Sequence, residues 1–210
     1  MGVNGPVERA QARPQFVLAS ANPDKAREMR YVLEEVGVHV VPRPADVPEV
    51  EETGDTLEDN ARLKAVALAE ATGLPAIADD TGLEVDALGR APGVRSARYA
   101  GENATYADNV EKLLDEMERH KDRRARFRSV TIARWPDGRE VVAEGVVMGT
   151  IAAEPAGDAG FGYDPVFIPD EGGGKTFAEM EQAEKSAISH RGRSLRALAE
   201  QLGKPNITNP

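Results

Sequence analysis

The 210-residue sequence predicts an α/β protein organised around a mixed β-sheet. Short apolar runs alternate along the chain with amphipathic stretches, as strands alternating with helices would. Two longer runs, RARFRSVTIARW and EVVAEGVVMGTIA, flank Pro136-Asp137-Gly138, a hairpin signal that rules out a purely parallel sheet. The length suits one domain, or two closely joined lobes, around a sizeable core.

In chain order, residues 1–14 are polar, lack the apolar core of a secretion signal and read as a flexible, dispensable tail. Phe16–Ser20 reads as a buried strand. Asn22-Pro23 then opens a helix to about Val36, because Asn is a preferred N-cap and Pro is tolerated at the first helical position. Ala26, Met29, Leu33 and Val36 give that helix one apolar face. A short strand, His39–Val41, leads into the Pro-rich, acidic loop VPRPADVPEVEETGD. Asp55 with Glu58 resembles a capping box for a second helix, carried by Leu57, Ala61, Ala65 and Leu68 and stopped near Gly73. A strand over Ala76–Ala78, a turn at Asp79-Asp80-Thr81-Gly82 and a strand over Leu83–Asp86 come next. Thr105 starts an amphipathic helix with Tyr106, Val110, Leu113, Leu114 and Met117 on one face. The second hairpin run is apolar on both faces, which places it centrally in the sheet. The last helix carries Leu195, Leu198 and Leu202 and ends at Gly203, before Pro205. The domain therefore spans 15–203, with 204–210 as a C-terminal tail.

Composition narrows the function. Apolar content of 40% with 30% charged residues is ordinary for a soluble globular chain. A formal charge of −10 argues against coating nucleic acid, but leaves room for a small phosphorylated ligand held by a local field. With no cysteine, disulfides, thiolate zinc sites and cysteine nucleophiles are ruled out. No stretch approaches the roughly 20 apolar residues of a membrane span. The sequence reads as that of a cytoplasmic protein.

Five stretches can carry chemistry. At Ser20, Ala21, Asn22, Pro23, Asp24 and Lys25 a strand runs into a helix N-terminus, whose N–H groups and dipole favour anions. Lys25 in the first turn opposes that dipole, which makes sense if a polyphosphate sits there; a capped helix with a solvated lysine is the plain alternative. Asp79 and Asp80 end an apolar strand, where two carboxylates suit Mg²⁺, or else form an Asp-rich turn. Glu51-Glu52 either completes a metal site or keeps a loop soluble. GFGYDPVF (160–167) lets a flat ligand approach the backbone and stack, or is a tight turn with core aromatics. EKSAISHRG (184–192) crowds Lys185, Ser189, His190 and Arg191 before the last helix, as a donor set or a solvated basic patch.

Together, S-x-N-x-x-K, E-E-T-G, A-D-D-T-G-L-E-V, F-G-Y-D-P-V-F and E-K-S-A-I-S-H-R-G, in that order, with GRAPGVRSARYAG, resemble the inosine triphosphate pyrophosphatase family. The resemblance covers about residues 15–203. It implies an elongated, two-lobed α/β homodimer with its site in the cleft, hydrolysing ITP, dITP and XTP to monophosphate and pyrophosphate with Mg²⁺. It implies that Ser20–Lys25 grip the phosphates. Asp80 would be general base and metal ligand, with Asp79 and Glu51 or Glu52 supporting the metal. Thr81 would offer a hydroxyl to substrate. Phe161, Gly162, Tyr163, Asp164, Lys185, His190 and Arg191 would bind the nucleoside. Hydrogen-bond polarity adds an expectation: donors on Lys185, His190 and Arg191 would welcome the 6-oxygen of inosine or xanthosine and reject the 6-amino group of ATP. The same donors give no account of how GTP is excluded.

Overall fold

The computed structural model describes residues 15–203; the two expected tails lie outside the described residues. A seven-stranded mixed sheet comprises β1 (Phe16–Leu18), β2 (Val40–Val41), β3 (Ala76–Val85), β4 (Pro92–Gly93), β5 (Arg124–Arg134), β6 (Glu140–Ile151) and β7 (Phe167–Pro169). Five helices accompany it: α1 (Pro23–Glu35), α2 (Leu57–Thr72), α3 (Tyr106–Met117), α4 (Gln182–Ile188) and α5 (His190–Leu202). The strand order is β2-β1-β3-β5-β6-β7, with β4 on β3. β1 pairs in parallel with β2 and β3, while the β5–β6 hairpin and its neighbours are antiparallel, so the expected mixed sheet is present. Among the described residues, no helix is long and apolar enough to cross a membrane.

Two expectations about local structure are corrected. Asp79–Gly82 is not a turn: it lies inside β3, a single strand paired with β5 from Ala76↔Arg134 to Val85↔Ala125. Turn-forming residues were overridden by ten consecutive partners across the ladder. The second helix is capped one residue later than expected, by Thr56, whose hydroxyl accepts from the Asp59 amide at 3.1 Å; Asp55–Glu58 is not the box. At α3 the Thr105–Asp108 capping box forms as the sequence leads one to expect.

β6 also differs from expectation. Its residues alternate, one face buried and the other open at Glu144 and at Met148, which is 49% exposed. Only its last three residues pair with β7, so the central strands are β3 and β5.

The core divides along the strands. On one face, α1 and α5 cover Ile77, Ala133 and Val141 at one end of the sheet. Further along that face, Leu83, Phe127 and Val147 join Val110, Leu113 and Met117 of α3 in a second cluster. On the opposite face α2 covers Ala76, Ala78, Val130 and Ile132. Between the two clusters of the first face lies a polar belt of Asp79, Thr81, Ser129 and Thr131. The first turn of α5 closes over this belt. Gly145 makes that possible: a Cβ there would lie 2.0 Å from the His190 carbonyl oxygen and 2.4 Å from the Ser194 nitrogen.

Candidate active site

The site starts from a gap in the sheet. β1 pairs with β3 only as far as Leu18↔Ile77, and β4 begins pairing with β3 at Leu83↔Gly93. On that side residues 78–82 of β3 have no strand partner among the described residues. Adjacent strand residues point to opposite faces, so Asp79 and Asp80 lie on opposite sides of the sheet. Beside the gap, outside the carboxyl end of β1 where α/β sheets bind ligands, Asp79 lines the crevice, while Asp80 is not among its lining residues and is tied to it through Lys64.

Asp80 faces α2. Its oxygens accept from Lys64 Nζ at 3.2 Å and from Asn60 Nδ2 at 3.3 Å. Burial pushes its carboxyl above the ordinary range, and the nearby lysines, Lys64 and Lys25, do not fully offset that. Asp79 faces α5, and its Oδ2 accepts from Arg191 Nε at 3.0 Å. Burial alone would raise Asp79, but Arg191, Lys25 and Lys64 outweigh it and hold the carboxyl well below the usual range. The two neighbours therefore differ in their affinity for a proton, which is higher at Asp80.

A pocket of about 190 Å³ in the crevice is lined by Ser20, Ala21, Asn22, Lys25, Glu49, Glu52, Lys64 and Asp79, among others. Pro23 and Asp24 do not line it, and Asp24 pairs instead with Arg27. The mouth of α1 is less open than the sequence suggests. Asn22 Oδ1 accepts from the Asp24 and Lys25 amides at 2.9 and 3.2 Å, and the Ala26 amide bonds Asn22 O. Lys25, with Arg43 and Lys64, keeps the pocket cationic, and its charge reaches Asp79, Asp80 and Glu52. Glu52 accepts from Lys64 at 2.9 Å and meets Arg98 at 3.5 Å, whereas Glu51 is exposed and lies outside the pocket lining.

Across the polar belt a second pocket, about 80 Å³, is lined by Thr81, Tyr106, Phe161, Gly162, Tyr163, Asp164, Lys185, His190 and Arg191, among others. The basic residues are not a solvated patch: Lys185, His190 and Arg191 are 4%, 3% and 2% exposed. Nor do they precede the last helix. His190 and Arg191 form its first turn, and Ser189 caps it by accepting from the Gly192 amide at 3.1 Å. Lys185 Nζ donates to Glu28 at 2.5 Å and to Asp164 at 2.6 Å. Arg191 donates to Asp79, to Glu28 at 2.5 Å and to Thr81 at 3.2 Å. Two of three ammonium hydrogens and three of five guanidinium hydrogens are thus engaged, so the expected donor edge is partly spent on carboxylates. His190 stacks on Phe127 at 4.5 Å, and its Nδ1 is buried without a partner. Burial, then Arg191 and Lys185, keep this imidazole neutral. Phe161 lies over the cations, with Lys185 Nζ 5.1 Å from its centroid.

The GFGYDP loop is held at both ends. Asp164 Oδ2 accepts from the Phe161 amide at 2.7 Å, and Tyr163 donates to Ser96 O at 2.9 Å. Gly160, at φ +74°, leaves room for that carboxylate, which a Cβ would meet at 2.2 Å. Sequence reasoning missed Glu28, the carboxylate between Lys185 and Arg191. Its signal was present: Glu28 sits with Lys25, Met29 and Val32 at helical spacing on the inward face of α1. Asn60 and Lys64, which hold Asp80, were missed for the same reason, lying on a helix read only for its apolar residues.

A divalent cation fits these residues. Asp79 Oδ1 is buried with no partner, and Asp79 and Glu52 line one pocket. No group of three or more His, Asp or Glu placed to cage a cation occurs among the described residues. That donor set suits Mg²⁺, which is commonly held by one or two carboxylates plus water and substrate phosphates.

The model of the Ham1 family matches residues 16–201. A dITP/XTP pyrophosphatase of Shigella flexneri is 49% identical over 194 residues, 90% of this chain and 98% of that protein. One from Deinococcus radiodurans is 48% identical over 190 residues, 90% and 93% of the two chains. Among solved structures, a HAM1 protein from Coxiella burnetii superposes with a TM-score of 0.82 at 43% identity, covering 90% of this chain and 98% of that one. A nucleoside-triphosphatase / dITP/XTP pyrophosphatase from Mycobacterium abscessus gives 0.68 at 47% identity, covering 88% and 97%.

Proposed function

The chain belongs to the Ham1 family, and on that premise we propose that it hydrolyses the non-canonical purine triphosphates ITP, dITP and XTP to the monophosphate and pyrophosphate. The observation that carries this is the gap in the sheet. There Asp79 lines a lysine-bearing pocket, Asp80 on the other face of β3 bonds Lys64 of that pocket, and an aromatic slot lies across the polar belt.

Cleavage between the α- and β-phosphates needs the triphosphate charge offset, a water activated in line, and a stabilised leaving pyrophosphate. Lys25, with the side chains of Ser20 and Asn22, offsets charge on the phosphates and on the departing pyrophosphate. Asp80 takes the proton of the attacking water, a role its raised proton affinity suits. Lys64 and Asn60 hold its carboxylate in place. Mg²⁺, when bound, supplies charge neutralisation and polarises water; Asp79 and Glu52 are the residues to hold it, and Asp80 lies next to Asp79 on β3. Phe161 stacks the base. The uncommitted hydrogens of Lys185 and Arg191, with His190, face its 6-oxygen.

We further propose that the protein works as a cytoplasmic homodimer without nucleic-acid or membrane partners; light scattering in solution tests the assembly. The enzymatic test is pyrophosphate release from ITP, dITP, XTP, GTP, ATP and dTTP with Mg²⁺. ITP, dITP and XTP should be good substrates, GTP poor, and ATP and dTTP very poor. Equal turnover of ATP and ITP, or no pyrophosphate from any, overturns the reading.

A further inference from the structure

Tyr106 stands apart from the rest of its helix. The sequence places it on the apolar face of α3 with Val110, Leu113 and Met117, and these three are buried while Tyr106 is 39% exposed. The Thr105–Asp108 capping box fixes it at the first position of α3. From there its ring packs tilted against Phe161, centroids 5.8 Å apart. Its hydroxyl oxygen accepts from Asn22 Nδ2 at 2.7 Å, across 84 residues of chain. Tyr106 thus touches the cap of the helix that presents Lys25 on one side and the aromatic slot on the other. It lines the slot together with Asn22, Lys25 and Thr81.

In a nucleotide, the group between base and phosphates is the sugar. A phenol whose oxygen already accepts from Asn22 keeps its own hydrogen to give away. We propose that Tyr106 is the sugar-binding wall of the site, its ring covering the sugar face and its O–H donating to a sugar hydroxyl oxygen. This rests on the nucleotide reading above, and it places sugar recognition on α3, outside the phosphate and base residues already described. The bond from Asn22 sets the direction of that hydrogen and ties the sugar contact to the phosphate cradle.

The test is Tyr106→Phe, which keeps the ring and removes only the hydroxyl, assayed with ITP, dITP and 2′,3′-dideoxy-ITP. The expected result is a KM for ITP raised about 3–10-fold, as for a lost neutral hydrogen bond, with kcat moving much less. The mutant-to-wild-type ratio should fall to about one on whichever analogue lacks the hydroxyl that is bound. An equal ratio on all three substrates would make Tyr106 a mere strap between α3 and α1, and no change on any would remove it from the site; either overturns the proposal. Wild-type turnover of ITP reports on the nucleotide reading alone, so the two failures are told apart.

Discussion

At the end of the crevice proposed for the phosphates, Lys25, Glu52 and Lys64 are only partly covered and line a pocket of about 190 Å³, where Lys64 pairs with Glu52. At the aromatic end, Glu28, Asp164, Lys185 and Arg191 are buried and satisfy one another directly. The difference follows from what each end has to meet. On the proposed function, charges that rearrange around a polyphosphate and a cation are left near water, where moving them costs little. Charges that shape the slot and present fixed donors to it are sealed, where low polarisability makes each pairing stiff and each orphan expensive. Asp79 belongs to both ends, clamped by Arg191 on one oxygen and free on the other.

The contrast can be broken most severely at Asp80. Asp80→Asn keeps size and removes the proton acceptor, and kcat should fall about 10²–10⁴-fold. EDTA should abolish wild-type turnover and Mg²⁺ restore it. Full activity in the mutant would remove the base from the phosphate end.

Glu28→Gln tests the sealed end. It leaves two buried cations with a weaker partner, and urea unfolding should show a loss of about 3–5 kcal/mol. Burial alone would raise Glu28, but Arg191 and Lys185 hold it below its ordinary value of 4.5. Its contribution is therefore fully present above that value and lost as pH falls through the depressed one. The stability gap between wild type and mutant should be flat above about pH 5 and narrow only in acid. A gap that widens toward acid would contradict the assignment.

A smaller effect is expected at Lys25→Ala: turnover of ITP weakened about 10–100-fold, with the melting temperature unchanged, because this lysine supports no core. Unfolding of the mutant, or normal hydrolysis, would favour the reading of Lys25 as a solvated lysine on a capped helix.

The smallest test compares the adjacent carboxylates by thermal melting without metal. Asp79→Asn should destabilise by about 1–3 kcal/mol, since its charge is favoured in the fold. Asp80→Asn should be neutral or stabilising, since its charge is disfavoured there. Equal losses would mean that the two faces of β3 do not differ as described.

Much of this was legible in the sequence for physical reasons. Helix α1 announced itself through Asn22-Pro23 and the hairpin through Pro136-Asp137-Gly138, because caps and turns are local chemistry. Asp79–Gly82 was misread because its strand identity comes from β5, more than forty residues away, and not from its own residues. Lys185 and Arg191 could be read locally as a donor set or as a solvated patch, because their partner, Glu28, is about 160 residues distant. Local pattern singled out several side chains that line the two pockets but not Glu28, Asn60 or Lys64, because which residues pair is a property of the closed fold.

The gap in the sheet also divides the molecule by how readily its parts open. β3 pairs with β5 along its whole length, so the amides of Ala78, Asp80 and Gly82, which face β5, belong to the portion that opens last, while the alternate amides of Asp79 and Thr81 face the gap. Ser20–Asn22 follow the end of a three-residue strand, and Glu52 sits on a loop without regular structure. On heating, those segments should fray first, leaving intact carboxylates with no cradle before them. Loss of turnover would then precede loss of far-ultraviolet ellipticity by several degrees.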